Sequence, residues 1–171
     1  MSERTYTVGR RSAARLAAVQ ALYEIDMVGA PATPVLKEFL ERRWSDASPV
    51  DREDDDGSDD GAQAPAPEQR LLKRLVNGVA ADPDGLDAMI AQHLNSPWTA
   101  ERLDTLMRAI LRAGAYEIRD CPGVAARTVI AEYVGLAHAF FGENEPALVN
   151  GVLDGMARQF RPDEMAGRAA G

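Results

Sequence analysis

The sequence contains one cysteine, Cys121, and two histidines, His93 and His138. A single cysteine excludes an internal disulfide bond and any metal site built from several cysteines. Each histidine lies in a helical stretch and has no second ligand at metal-binding spacing, so no metal site and no catalytic imidazole are expected. Cys121 precedes a proline in a predicted loop, and with no histidine near it in sequence we expect an incidental thiol rather than a reactive one.

Long apolar runs and nucleotide-binding motifs are also missing. No apolar run reaches the length of about 18 residues that a transmembrane helix needs. The N-terminal segment is basic but has no signal-peptide core, so a cytoplasmic protein without a membrane association is expected. There is no Walker-type loop, no GxSxG element and no glycine-rich stretch joining a strand to a helix. The sequence therefore favours a non-enzymatic function and predicts no cofactor.

No segment shows sustained alternation of apolar and polar residues flanked by hairpin turns, so β-strands are not supported. Apolar residues instead recur at three- and four-residue spacing, which predicts seven helices and an all-α bundle. The expected helices run from about Arg10 to Val28, from Thr33 to near Trp44, from Pro67, from Asp82, from Thr99 to Arg119, and in two closing segments hinged at Phe141-Gly142-Glu143.

Particular residues are expected to shape two of these helices. Leu16, Val19, Tyr23 and Met27 follow helical spacing and should form the core face of the first helix. At the closing hinge, Gly142 can adopt the left-handed conformation that ends a helix, and Asn144 is a suitable N-cap for the next one. The glycines at 114, 135, 151 and 155 fall within helices, where close packing explains them better than phosphate binding.

The net charge of −8 is concentrated in one segment. Residues 45–61 hold eight acids and one arginine, a charge of −7, so the rest of the chain carries −8 − (−7) = −1. Residues 45–66 have almost no apolar bulk and predict a mobile acidic surface loop, more simply a solubilising insertion than a functional tail. We divide the remainder into a mobile N-terminus (1–9), two helical subdomains (10–85 and 86–162) and a flexible tail (163–171).

The start of the first helix carries three arginines, Arg10, Arg11 and Arg15. Guanidinium groups beside the free backbone N–H groups of a helix start can hold phosphates, so this cluster indicates nucleic-acid binding. A solvated basic terminus without a ligand is the alternative interpretation. No aromatic residue is interleaved with the arginines, so any reading of bases would come from another part of the chain.

Four segments taken together resemble the NusB family of bacterial transcription antitermination factors. They are, in order, GRRSAARLAAVQALYEIDM, LLKRLVNGVA, MRAILRAGAYEI and FGENEPALVNGVLDGMA, and the resemblance covers about residues 9–162. It implies seven helices in two packed three-helix bundles. It also implies binding to the boxA element of ribosomal RNA leader transcripts together with NusE, a small-subunit ribosomal protein, within an RNA polymerase complex that resists termination.

The resemblance assigns RNA contacts to Arg10, Arg11 and Arg15 in the first helix, and to Leu148 and Asn150 in the VNGVLD segment. Many members of the family carry an aromatic residue and a lysine just before VNGVLD, which would suit base stacking and phosphate contact. This chain has an alanine and a leucine there, and a leucine side chain cannot stack on a base in the same way.

The resemblance also indicates where NusE would bind. Some members carry at the position of Met107 an acid that pairs with NusE, and Asp104 is close enough in sequence to substitute for it. Phe141 and Glu145 precede VNGVLD, in the region where the family brings RNA and NusE contacts near each other.

Two other functions remain open at this point. The chain can be a helical protein-interaction module without RNA affinity. NusB-like domains also occur fused ahead of ribosomal RNA cytosine methyltransferases, so the chain can be the partner of an RNA-modifying enzyme. Some family members form homodimers, and the sequence leaves that choice undecided.

Overall fold

The computed structural model describes residues 9–45 and 67–166, with the side chains of 42–45 excepted. Within these ranges the chain is helical and contains no strand, which confirms the predicted all-α class. There are eight α-helices rather than the expected seven, and the eighth has five residues. They are α1 (Arg10–Val28), α2 (Ala32–Ser45), α3 (Gln69–Ala81), α4 (Pro83–Gln92), α5 (Thr105–Asp120), α6 (Ala126–Phe140), α7 (Asn144–Phe160) and α8 (Pro162–Ala166).

The helix expected from Thr99 to Arg119 is interrupted. A 3₁₀ turn at Ala100–Arg102 comes first, and α5 begins only at Thr105. The Asp104 side chain accepts a hydrogen bond from the Leu106 N–H at 2.8 Å, so it caps α5 and fixes the start of the helix there. The apolar periodicity runs through the break, which is why the pattern alone does not locate it.

The expected capping at the closing hinge is wrong. Among the described glycines only Gly29 has a positive φ, 68°, where it ends α1. Helix α6 instead ends at Phe140 because Phe141 adopts an extended backbone, while its N–H still bonds to the Ala137 carbonyl. Asn144 is the first residue of α7 and not its N-cap.

The buried face of α1 also differs from the expectation. Tyr23 and Met27 are 38% and 58% exposed, whereas small side chains fill the core face. The buried apolar residues of this helix are Ala14, Ala17, Ala18, Val19, Ala21 and Leu22. Alanines allow the backbone of α1 to approach α3 and α5 closely, so the helix turns this face inward and leaves the larger pair outside.

Helix α5 is central and contacts α1, α3, α4, α6 and α7. It runs antiparallel to α1, because Arg15 meets Glu117 while Asp26 meets Arg112. It runs parallel to α7, because Gly114 lies against Leu153 and the last residues of α7 lead to the end of α5. The start of α1 therefore lies at the C-terminal end of α5, and the start of α7 lies at its N-terminal end.

Arg161 secures the C-terminal end of α5. Its guanidinium donates hydrogen bonds to the carbonyl oxygens of Ile118 at 2.9 Å, Glu117 at 2.7 Å and Cys121 at 2.8 Å. These are carbonyls that a helix end leaves without intrahelical partners, so a buried cation satisfies them and opposes the negative end of the helix dipole.

Most of the segments expected to be mobile lie outside the described residues, namely 1–8, 46–66 and 167–171. The expected tail also includes residues 163–166, which belong to α8. There the Glu164 carboxylate accepts a hydrogen bond from the Ala126 N–H at 2.8 Å and holds α8 against the start of α6. The boundary at 85/86 stays a prediction. Across the described ranges, no helix is both long enough and apolar enough to cross a membrane.

Candidate nucleic-acid interface

Arg15 belongs to the interior of the molecule. It is 2% exposed, and its Nε and Nη2 atoms each donate to a carboxylate oxygen of Glu117 at 2.9 Å. The Tyr133 hydroxyl donates to the same carboxylate at 2.6 Å, and Glu132 lies 3.8 Å from the Arg15 Nη1. Helices α1, α5 and α6 are thus joined by one buried charged network.

The network shifts the pKa values of Tyr133 and Arg15. Burial, together with the charge of Glu117 and the hydrogen bond to it, raises the pKa of Tyr133 well above its ordinary value. Burial lowers the pKa of Arg15, but the hydrogen bond and charge of Glu117 outweigh that effect and leave the pKa raised. Arg15 is therefore a permanently charged structural residue.

The prediction that Arg15 contacts RNA is therefore wrong. The alanines beside it in α1 turn its side chain toward α5, where Glu117 neutralises it. A guanidinium already occupied by a bidentate carboxylate and shielded from solvent has no surface to offer a phosphate.

Arg10 and Arg11 do reach the surface, at the start of α1. The Arg11 side chain is 60% exposed, and its Nε lies 3.2 Å from the Glu68 carboxylate. Arg10 is exposed, and its side chain makes no hydrogen bond or ion pair within the described part of the chain. An exposed ion pair is weak, so Arg11 can exchange Glu68 for a phosphate at little cost.

Leu148 and Asn150 lie near the start of α7. Leu148 is partly buried and lines a groove of ≈ 540 Å³ between α7 and the connection that follows α4, whereas Asn150 is exposed outside it. The groove is lined by His93, Asn95, Ser96, Pro97, Trp98, Asn144, Ala147, Leu148, Gly151 and Val152. An aromatic ring, amides and a hydroxyl in one groove suit a nucleobase, which combines a flat face with polar edges.

The sequence does not connect Trp98 with Leu148, because Trp98 lies fifty positions earlier and belongs to none of the segments that resemble the family. The fold brings it to the groove and supplies an aromatic side chain near the position where this chain has only leucine. The available signal in the sequence was a tryptophan in a predicted loop, directly after Asn95-Ser96-Pro97, where an aromatic side chain can be offered to a ligand.

The glycines at 114, 135, 151 and 155 fall into two groups. A Cβ on Gly155 would lie 2.5 Å from the Nδ1 of His93, so the expected close packing holds there, and Leu153 crowds Gly114 in the same way. Nothing approaches Gly135 or Gly151 within 4 Å, so close packing does not explain those two. Gly151 instead keeps one side of the groove free of a side chain.

The two sets of predicted RNA residues lie toward opposite ends of α5. Leu148 comes before Leu153 in α7, and Leu153 packs against α5 at Gly114. Arg10 and Arg11 come before Arg15 in α1, and Arg15 pairs with Glu117 of α5. At about 1.5 Å per helical residue, the two levels differ by roughly 18 Å along α5. A small ligand cannot bridge that distance, whereas an extended polymer can.

The residues expected to contact NusE do not all reach the surface. Met107 is 1% exposed on the inward face of α5, so its predicted partner contact is wrong. Asp104 is exposed, but its carboxylate already caps α5. Phe141 and Glu145 are partly buried around the start of α7, so these two and Asp104 all lie toward the N-terminal end of α5.

The remaining reactive side chains are accounted for by packing. Cys121 is buried, and burial raises the pKa of its thiol, which disfavours the reactive thiolate. His93 is half-buried and hydrogen-bonds Gln159 at 3.1 Å. In the described ranges, no three histidine, cysteine or acidic side chains come together in a way that could hold a metal ion.

Comparison with known proteins gives a consistent result. Residues 12–158 match the model of the NusB family. The chain is 42% identical over 157 residues to the transcription antitermination protein NusB of Bradyrhizobium sp. strain BTAi1, covering 91% of this chain and 86% of that one. It is 42% identical over 158 residues to the protein of the same name from Nitrobacter hamburgensis, covering 92% and 91%.

Solved structures share the fold. A crystal structure of T. maritima NusB matches with a TM-score of 0.68 and 24% identity, covering 92% of this chain and 96% of that one. A crystal structure of the antitermination factors NusB and NusE in complex with dsRNA matches with a TM-score of 0.67 and 23% identity, covering 88% and 98%. At these identities the likeness shows a common fold.

Proposed function

The chain belongs to the NusB family, and from that membership we propose that it is a transcription antitermination factor. It binds the boxA element of ribosomal RNA leader transcripts together with NusE. The resulting complex joins RNA polymerase in the bacterial cytoplasm and makes transcription resistant to termination. The observation that carries this proposal is the family match over residues 12–158, supported by relatives that bear the antitermination name.

The proposed RNA surface has two parts. Arg10 and Arg11 neutralise backbone phosphates at the start of α1, which supplies affinity without sequence preference. The groove of Trp98 and Leu148 accepts an unstacked base, which supplies sequence preference. Because the parts are separated by roughly 18 Å along α5, an RNA strand must lie along the molecule to occupy both.

The proposed NusE contact lies toward the N-terminal end of α5, around Asp104, Phe141 and Glu145. This region adjoins the groove, because Asn144, next to Glu145, lines it. NusE bound there could therefore close one side of the groove and strengthen RNA binding. The proposed function is recognition of RNA and protein, and it needs no catalytic residue or cofactor.

We further propose that the helices form the family's two three-helix bundles. Helices α1, α2 and α3 contact one another, and so do α5, α6 and α7. The first bundle packs on the second chiefly through α1 and α5, and the Arg15–Glu117 pair lies in that interface.

The test is binding of a fluorescent boxA RNA and a scrambled RNA of the same composition, with and without NusE from the source organism. We expect tighter binding of boxA than of the scrambled RNA, and a further gain when NusE is present. Equal affinity for both RNAs, unchanged by NusE, would contradict the proposed function.

The same assay tests the groove. Trp98→Ala should lower boxA affinity about 5- to 150-fold, since a stacked base contributes about 1–3 kcal/mol, with a smaller effect on the scrambled RNA. Trp98→Phe keeps an aromatic face and should retain most of the preference. Circular dichroism of each variant serves as the control for folding, and unchanged boxA preference in folded Trp98→Ala would remove the groove from the RNA site.

A further inference from the structure

The starts of α1, α3 and α6 all lie toward the C-terminal end of α5. The Glu68 N–H, just before α3, donates to the Arg10 carbonyl at 2.9 Å, which places the first turns of α1 and α3 side by side. The Ser12 hydroxyl donates to Glu132, midway along α6, at 2.9 Å, so α1 and α6 also lie side by side. Since α6 follows α5 through a short turn, its start also lies at this end.

Helix α3 adds cations to this end. Its inward face holds Leu71, Leu72, Leu75, Val76 and Val79, all buried. Arg70, Lys73 and Arg74 occupy the outward face at spacings of three and four residues, and all three are exposed. Residues 67–81 contain these three cations and one acid, Glu68, which gives +3 − 1 = +2.

Most cations in the described ranges are held by partners. Arg74 donates to the Asp120 carbonyl at 2.8 Å, and Arg112 donates to both oxygens of Asp87. Those without a side-chain hydrogen bond or ion pair in the described part of the chain are Arg10, Arg70, Lys73, Arg102 and Arg127. Four of these five, all but Arg102, lie in the first two turns of α1, α3 and α6, at the C-terminal end of α5.

The neighbouring acids do not neutralise these four. Glu68 pairs with Arg11, and Asp120 pairs with Arg119 at 2.7 Å. Glu132 lies 3.8 Å from the Nη1 of Arg15, and Glu164 pairs with Arg161 at 3.3 Å. Asp163 is the one exposed acid described at this end whose side chain has no cationic partner, so among the described residues this end carries an excess of positive charge.

We propose that Arg70 and Lys73 of α3 and Arg127 of α6 extend the Arg10–Arg11 cluster into one surface that binds RNA backbone phosphates. The inference rests on the proposed function and enlarges the phosphate-binding part of its RNA site from one helix to three. The contacts are to phosphates, so they raise affinity for boxA and for unrelated RNA by similar factors. The α3 cations lie outside the helix to which the sequence assigned RNA binding.

The salt dependence of RNA affinity tests the proposal. For single-stranded RNA, the slope of log affinity against log salt concentration changes by about 0.7 for each phosphate that is no longer neutralised. In complex with NusE, the double variant Arg70→Gln/Lys73→Gln should therefore reduce the slope by about 1.4. The single variant Arg127→Gln should reduce it by about 0.7. Affinity for boxA and scrambled RNA should fall in parallel. Lys37→Gln, on an exposed lysine of α2 paired with Glu41, is the control and should leave the slope unchanged.

The outcomes separate this inference from the proposed function. If the wild-type complex prefers boxA, and the α3 and α6 variants have the same salt-dependence slope as the wild type, the extended surface is wrong and the proposed function stands. If the wild type binds both RNAs equally while the variants lower the slope, the surface is right and the proposed function is wrong. Absence of RNA binding by the wild-type complex would overturn both.

Discussion

Arg15 and Glu117 form an ion pair between positions 102 residues apart in sequence, and both side chains are buried. Removing two charges from water is costly, and this cost is offset by two hydrogen bonds between them and a third from Tyr133. The balance depends on all three groups being present. In the sequence Arg15 shares a face with Arg11, so spacing alone assigns both to the same role.

Arg15→Met should destabilise the protein by about 3–5 kcal/mol, because it leaves the Glu117 carboxylate buried without its cation. Urea unfolding at neutral pH, followed by circular dichroism, measures the change. Arg11→Met is the matched control and should cost under about 1 kcal/mol, since its pair with Glu68 is exposed, while weakening RNA binding. An Arg15→Met protein with wild-type stability would show that the buried pair is not structural.

The raised pKa of Tyr133 predicts a loss of stability in alkali. The hydroxyl is protonated in the folded protein to a higher pH than in the unfolded chain, whose tyrosines titrate near pH 10. The stabilisation is therefore complete below about pH 10 and decreases as the pH rises toward the folded-state pKa.

Urea unfolding between about pH 9 and pH 11 measures this decrease. The raised pKa of Cys121 acts in the same direction, so the comparison is best made in a Cys121→Ala background. In that background, Tyr133→Phe should reduce the loss of stability with rising pH. An identical pH dependence with and without the Tyr133 hydroxyl would show that another group is responsible.

At the scale of elements, the short polar caps are the features that periodicity does not reveal. The bounds of α1 agree with the prediction because Gly29, followed by Pro31, stops the helix in an unambiguous way. The start of α5 does not agree, because Asp104 caps the helix within an uninterrupted apolar pattern. The cap also gives Asp104 a structural role beside its predicted contact with NusE.

Two substitutions separate the roles of Asp104. Asp104→Ala removes the cap and should destabilise the protein by about 0.5–2 kcal/mol in thermal or urea unfolding. Asp104→Asn keeps a capping oxygen and should retain stability, but it lacks the charge that would pair with NusE. Weaker NusE binding by a fully stable Asp104→Asn protein is the expected result, and unchanged NusE binding would leave Asp104 as a cap alone.

At the scale of the whole molecule, the sequence predicts the family and the all-α class, because each depends on ordered motifs and local periodicity. It does not predict which residues share a surface. That depends on the directions of α1, α5 and α7, which are set by contacts between distant positions such as Arg15 with Glu117 and Gly114 with Leu153. For this reason the sequence does not point to Trp98, and it does not indicate that Arg15 and Met107 are buried.

Together, the helix directions place the proposed phosphate-binding end and the proposed base-binding groove along the same molecule. In the proposed account, this arrangement holds an extended RNA strand and offers a neighbouring surface to NusE. The claim that unites these features is that the chain promotes antitermination in a boxA-dependent way.

The most direct test is transcription in vitro through a terminator, with RNA polymerase and the other Nus factors present throughout. The template carries either boxA or a scrambled boxA upstream. We expect the chain and NusE together to raise readthrough on the boxA template, with little effect on the scrambled one or when either protein is omitted. Readthrough that is unchanged by the chain, or raised equally on both templates, would contradict the account.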